Sequence, residues 1–152
     1  MLHGYGSSGD EHEGYFGLGP AAAARGLIYA HPDGTVDTTG NRFWNATDAC
    51  CDFDRTGVAD ADYLTGVVSE IASRVKVDPK RIYLIGHSNG GFMSYRMACD
   101  HADLVAAIVS LAGASLALTA YGVGSALDQF AHRPGGLEGL RDMYRHWIFF
   151  RS

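Results

Sequence analysis

The stretch RIYLIGHSNGGFMSY, residues 81–95, constrains this chain more than any other. An apolar run of buried-strand type meets Gly86-His87-Ser88-Asn89-Gly90 and passes directly into a segment with an apolar helical face. The G-x-S-x-G pattern is steric in origin. Its serine sits in a strained strand-to-helix turn, and small residues two positions away on either side let strand and helix approach closely. The hydroxyl is then exposed above the sheet edge, with the N–H of the next residue pointing at the same spot. In a chain with 20 glycines the pattern alone is cheap, and the strand before it and helix after it give it weight. Ser88 is therefore the candidate catalytic nucleophile, with an ordinary strand–helix turn as the rival reading.

The neighbouring segments predict the fold around that turn. Residues 60–75, DADYLTGVVSEIASRV, place Leu64, Val67, Val68, Ile71 and Val75 at helical spacing, with acids at the N-terminal end that favour the helix dipole. GLIYAHPDG, 26–34, reads as a buried strand ended by a Pro-Asp-Gly turn, and VAAIVSLAGA, 105–114, as another buried strand. NGGFMSYRMACDHA is a helix between strands. This β–α–β–α–β order predicts a parallel sheet covered on both faces by helices, its first strand reduced to Met1 and Leu2. Residues 35–57 are polar, turn-rich and aperiodic, and read as a long loop. After Ala114, residues 115–132 predict a helix interrupted by Gly122 and Gly124. The last segment, LEGLRDMYRHWIFF, predicts an amphipathic helix with Leu137, Leu140, Tyr144 and Trp147 on one face.

Composition narrows the function class. With 152 residues, 47% of them hydrophobic and 19% charged, the chain reads as one globular domain. A net charge of −5 without any Lys/Arg cluster argues against nucleic acid as a partner. No apolar run approaches the roughly 20 residues of a membrane span. MLHGYGSSGD lacks the basic and apolar regions of a signal peptide, so the protein stays inside or any signal lies upstream. Cys50, Cys51 and Cys99 have poor zinc-ligand spacing, there is no H-E-x-x-H, and DEHEG at 10–14 reads as a solvated loop, so no metal and no cofactor is expected. Either Cys50 or Cys51 pairs with Cys99 and leaves one thiol over, or all three are buried thiols.

HGYGSSG, residues 3–9, has two readings. Gly4, Gly6 and Gly9 fit a dinucleotide fingerprint, but that fingerprint needs a strand before it and an acid about 20 residues on, where Tyr29 stands. The better reading is an oxyanion loop: Gly4 lets the backbone turn so that the N–H of Tyr5, with that of Asn89, holds the charge of a tetrahedral intermediate. A Gly-rich surface turn is the bland alternative. The general base is less legible. His87 adjoins Ser88, but consecutive side chains point apart. His132 and His146, with Asp128 and Asp142, follow the serine in the order that suits a Ser…Asp/Glu…His triad, and each also suits a surface position. Tyr5 and Trp44 are candidate aromatic walls for a substrate, ordinary packing being the stronger reading for Trp44.

Taken in order, LHGYGSSG, YAHPDGT, FWNATDACC, VDPKRIYLIGHSNGGFMSYRMAC and AAIVSLAGA resemble the α/β-hydrolase family of polyhydroxybutyrate depolymerase-like and feruloyl esterase-like serine esterases, relatives of polyester hydrolases. The likeness covers residues 2–114. It implies a shortened α/β-hydrolase-type parallel sheet flanked by helices over 1–114, with 115–152 as a divergent helical tail of the same domain. It also implies Ser88 as nucleophile, Tyr5 and Asn89 as oxyanion donors, a disulfide from Cys50 or Cys51 to Cys99, and a secreted bacterial setting. The family's later strand with its aspartate and its histidine loop have no counterpart after Ala114. Two functions follow: hydrolysis of an ester or polyester of hydroxyalkanoate, feruloyl or aromatic type through an acyl-enzyme, or a non-catalytic remnant that binds or oligomerises through exposed sheet edges.

Overall fold

The computed structural model describes residues 1–113. The chain divides into two compact units, Met1–Ser115 and Leu116–Ser152, and the first carries every element below. The readings placed on residues 115–152, including both tail helices, lie outside the described residues.

Eight elements run in the order α1 (Gly9–Phe16), α2 (Leu18–Ala23), β1 (Thr35–Val36), β2 (Arg42–Phe43), α3 (Asp60–Arg74), β3 (Tyr83–His87), α4 (Asn89–Asp100) and β4 (Ala107–Leu111). β3 and β4 pair in parallel, Tyr83 opposite Ala107 through His87 opposite Leu111, joined by α4 as a crossover. On the other side of β3, Leu2 forms a one-residue parallel bridge to Gly86, its N–H donating to Ile85 O (2.7 Å) and its carbonyl accepting from His87 N (3.1 Å). Apolar burial concentrates beneath this ladder: Leu2, Phe43, Trp44, Leu64, Phe92, Met93 and Met97 are all at most 4% exposed. Among the described residues no helix is long and apolar enough to cross a membrane.

α3 forms where the helical spacing put it, with Leu64 buried and Val67, Val68 and Ile71 half-buried. Val75 departs from that face: it is the C-cap in extended backbone and is 46% exposed. α4 likewise follows expectation, its first six residues all buried.

Four expectations are corrected. Residues 10–14 are helix, not loop, because Ser8 and Glu11 close a capping box at the start of α1. Residues 35–57 are not loop throughout. β1 and β2 form an antiparallel hairpin around a turn that the Asp37 carboxylate organises, accepting from Thr39 N, Thr39 Oγ1 and Asn41 N. Residues 26–34 form no strand. Leu27 and Ile28 are 40% and 55% exposed, and their side chains line an open apolar groove with Leu64, Val67 and Val68. No described strand offers that segment a ladder. Finally, among the described residues the sheet is not covered on both faces. α4 packs on β3 and β4 and α3 packs on α4, while Tyr83, Val109 and Leu111 on the opposite face stay exposed. Apolar runs of the buried-strand type therefore end with one open face among the described residues.

Candidate functional site

Ser88 lies where β3 ends and α4 begins. Its backbone has φ 51° and ψ −115°, a region that L-residues with a Cβ rarely enter. Its hydroxyl does not cap α4, although the position is the N-cap. The turn closes this tightly because Gly86 and Gly90 have no side chains. A Cβ at Gly86 would stand 2.0 Å from Gly90 O, and one at Gly90 would stand 2.2 Å from Leu2 O. The glycines of G-x-S-x-G are thus van der Waals requirements of the strand–helix–strand contact, and Ser88 is left half-buried above it.

The segment His3-Gly4-Tyr5 passes over this corner. A Cβ at Gly4 would be 3.4 Å from Ser88 Cβ and 3.2 Å from His87 Nδ1, so the loop main chain lies against both residues. Two imidazoles hold Gly4. His3 Nδ1 donates to Gly4 O (2.8 Å), and its Nε2 accepts from Gly34 N (2.8 Å). On the amide side, Gly4 N donates to His12 Nε2 (3.2 Å). Burial pushes the His3 and His12 imidazoles below their ordinary pKa, and for His12 the neighbouring His87 and His3 add to the effect.

The sequence-derived residues are distributed as follows. Tyr5 follows Gly4 and is half-buried, its hydroxyl donating to Asp37 Oδ2 (2.5 Å) and its ring edge-on to Phe53. That hydroxyl contact leads the causes that hold the Asp37 carboxyl at about 2. Asn89 is fully buried, with its side chain accepting from Trp44 N (2.7 Å) and donating to Trp44 O (2.9 Å). The amide group thus mimics a strand partner and ties the start of α4 to β2's exit. Trp44 is 0% exposed, packs on the His3 ring and donates from Nε1 to His3 O (3.0 Å). A ring with no accessible surface has no face for a ligand, so the substrate-wall assignment for Trp44 is withdrawn in favour of packing. His87 turns its Nδ1 toward His12 Nε2 (3.1 Å). The four tail candidates, Asp128, His132, Asp142 and His146, lie outside the described residues.

The cysteine expectation is also revised. The structure joins Cys50 to Cys51 across a cis peptide, where the resemblance implied that one of them pairs with Cys99. Among the described residues no three His, Cys, Asp or Glu side chains converge to hold a metal ion.

His12, His3 and Asp37 were the residues that sequence reasoning missed. The Ser8–Glu11 capping box was the available signal for His12, because it starts a helix and so turns His12 inward, one helical turn after Ser8. Nothing local marked His3, whose Nε2 partner is 31 positions away, or the contact of Asp37 with Tyr5, 32 positions away, although the turn around Asp37 is local.

Comparison with known proteins places this site in context. The sequence profile of the prolyl oligopeptidase family matches residues 18–138. NocK of Nocardia uniformis subsp. tsuyamanensis, an esterase by name, is 37% identical over 113 residues, which are 74% of this chain and 31% of that protein. Feruloyl esterase B of Piromyces equi is 40% identical over 87 residues, 57% of this chain and 15% of its own length. Feruloyl esterase D of Neurospora crassa is 27% identical over 102 residues, 67% of this chain and 30% of its own. The chain therefore spans a third or less of the curated relatives it matches.

Proposed function

We propose, on the premise that this chain belongs to the prolyl oligopeptidase family of α/β hydrolases, that it carries the nucleophile and oxyanion part of a serine carboxylic-ester hydrolase. In this reading Ser88 Oγ attacks the ester carbonyl carbon, and the carbonyl electron pair moves onto oxygen. The N–H groups of Tyr5 and Asn89 receive that charge as an oxyanion hole. Collapse breaks the acyl–oxygen bond, and the alcohol departs with the proton that Ser88 gave up. Water then adds to the acyl-serine, and its collapse releases the carboxylic acid and restores Ser88. By sequence order alone, His132 and His146, with Asp128 and Asp142, are the candidates for carrying the proton.

The observation that supports this most is the left-handed backbone of Ser88, held between closed glycine contacts with its hydroxyl unused by the helix. Strain kept at a polar residue in such a place is a functional signature, and it is what a nucleophile elbow requires. The substrate class follows from leaving-group chemistry and from the names of the relatives. An ester's alcohol or phenol is a better leaving group than a peptide's amine, which depends more heavily on protonation to depart. Esters of feruloyl, hydroxyalkanoate or aromatic polyester type, with Tyr5 as an aromatic wall, are accordingly preferred over peptides.

A fluorophosphonate probe tests the reading, because only an activated serine reacts. Covalent labelling at Ser88 is expected, together with hydrolysis of p-nitrophenyl acetate above buffer. Constellations that lack a triad member still retain roughly 10³–10⁴-fold catalysis over water. Ser88→Ala should abolish the labelling and bring hydrolysis near background. A variant as fast as the parent overturns the assignment. The second reading, a non-catalytic module that self-associates through its strands, draws on the exposed apolar residues Tyr83, Val109 and Leu111.

A further inference from the structure

Gly4 lies in the loop against Ser88, and its amide has an unusual partner. In place of a main-chain carbonyl it donates to an imidazole nitrogen, His12 Nε2, contributed by α1. A nitrogen that accepts here carries no proton, so neutral His12 has its hydrogen on Nδ1. That hydrogen faces Ser7 Oγ (2.9 Å), and Ser7 in turn donates to Glu11 Oε2 (2.8 Å). The same Nε2 is 3.1 Å from His87 Nδ1, which must then be the protonated nitrogen of that ring. One lone pair thus gathers two N–H groups, one from the loop and one from the residue that precedes Ser88. The chain Glu11–Ser7–His12 fixes its direction.

We propose that His12 is a positioning residue, a proton-sensitive clasp that fastens the Gly4–Tyr5 main chain to the corner at Ser88. The inference rests on the hydrolase reading for its catalytic consequence and on geometry alone for the clasp. Protonation of Nε2 turns the shared acceptor into a donor. It then repels Gly4 N–H and His87 Nδ1–H together, and the loop lifts from Ser88. The charged and titratable groups facing His12 are His87 from β3, His3 from the N-terminal segment and Glu11 from its own helix. Two imidazoles and burial outweigh one exposed carboxylate, so the ring stays neutral until the pH falls below the ordinary histidine range. The sign follows: the clasp is closed at neutral pH and opens on acidification.

Two-dimensional NMR of the full chain reads this directly. The Gly4 amide resonance is expected to titrate with the His12 imidazole nitrogens, with a shared midpoint below 6.5 and Nδ1–H as the neutral tautomer. In His12→Gln the side-chain oxygen can still accept from Gly4 N–H but cannot titrate, so the Gly4 transition disappears. Fluorophosphonate labelling of Ser88 should then keep its neutral-pH rate and lose the part of its acid limb that tracks the Gly4 transition, whereas His12→Ala should slow labelling about tenfold at pH 7 through misplacement of the loop. A Gly4 amide that ignores the His12 titration in the parent overturns the clasp. If Gly4 follows His12 and no form labels Ser88, the clasp stands and the hydrolase reading falls.

Discussion

At Ser88 a single backbone conformation opposes stability and favours chemistry. A side chain at φ 51° is strained by about 1–3 kcal/mol, and glycine relieves that strain at the same position. Ser88→Gly should therefore unfold at higher urea than the parent, by about 1 kcal/mol, while losing all probe labelling. A destabilised glycine variant would mean that the turn is not under strain. G-x-S-x-G was legible as a pattern, although the demand on Gly90 comes from the distant Leu2 carbonyl. The roles of Asn89's side chain and of Trp44 were not. Both depend on residues 45 positions apart meeting in a buried reciprocal pair, which no local pattern encodes.

Among the elements, α3 separates face from periphery. Leu64→Ala, at a position 3% exposed, should cost about 2–4 kcal/mol in chemical denaturation. Val75→Ala, at the exposed cap of the same apolar series, should stay within about 0.5 kcal/mol. The β1–β2 hairpin carries a pH signature. Asp37 titrates at about 2, below its ordinary 3.8, because Tyr5 and the turn hydrogen bonds favour the carboxylate. Its stabilisation is complete above roughly pH 4 and is lost as the pH falls through 2. Thermal melts from pH 6 to 2 should show Asp37→Asn below the parent at neutral pH, with the gap closing across that window. A gap constant with pH would rule out the charged form as the stabilising species. Helices α3 and α4 could be read from the sequence because 3.6-residue periodicity and end signals are local. The hairpin was missed because Asp37's turn hydrogen bonds outweigh a composition that reads as loop.

At the scale of the whole molecule, the sheet face left open among the described residues sets solution behaviour. Tyr83, Val109 and Leu111 lie on one side of the β3–β4 pair and remain exposed. Such a patch favours association, so light scattering should report a species larger than a monomer that dissociates when Val109 and Leu111 are both changed to Lys. A strict monomer in the parent removes the oligomer reading. The strand expected over 26–34 failed for a related reason. Its apolar residues have the right composition, but a strand exists only where a neighbour supplies ladder hydrogen bonds. On the side of β3 away from β4, the described residues form only the one-residue bridge of Leu2 to Gly86.

From residues alone came the serine corner, the two helices that flank it and the family likeness, because strand–turn–helix sterics and helical periodicity act over a few neighbouring positions. Folding in three dimensions decided that the glycine loop lies over Ser88, that His3 ties it to Gly34 and Gly6 ties it to Arg42, and that one face of the sheet stays open among the described residues. Those outcomes depend on partners brought together from distant parts of the chain, and pairings at such separations are set by packing and hydrogen-bond satisfaction across the whole fold.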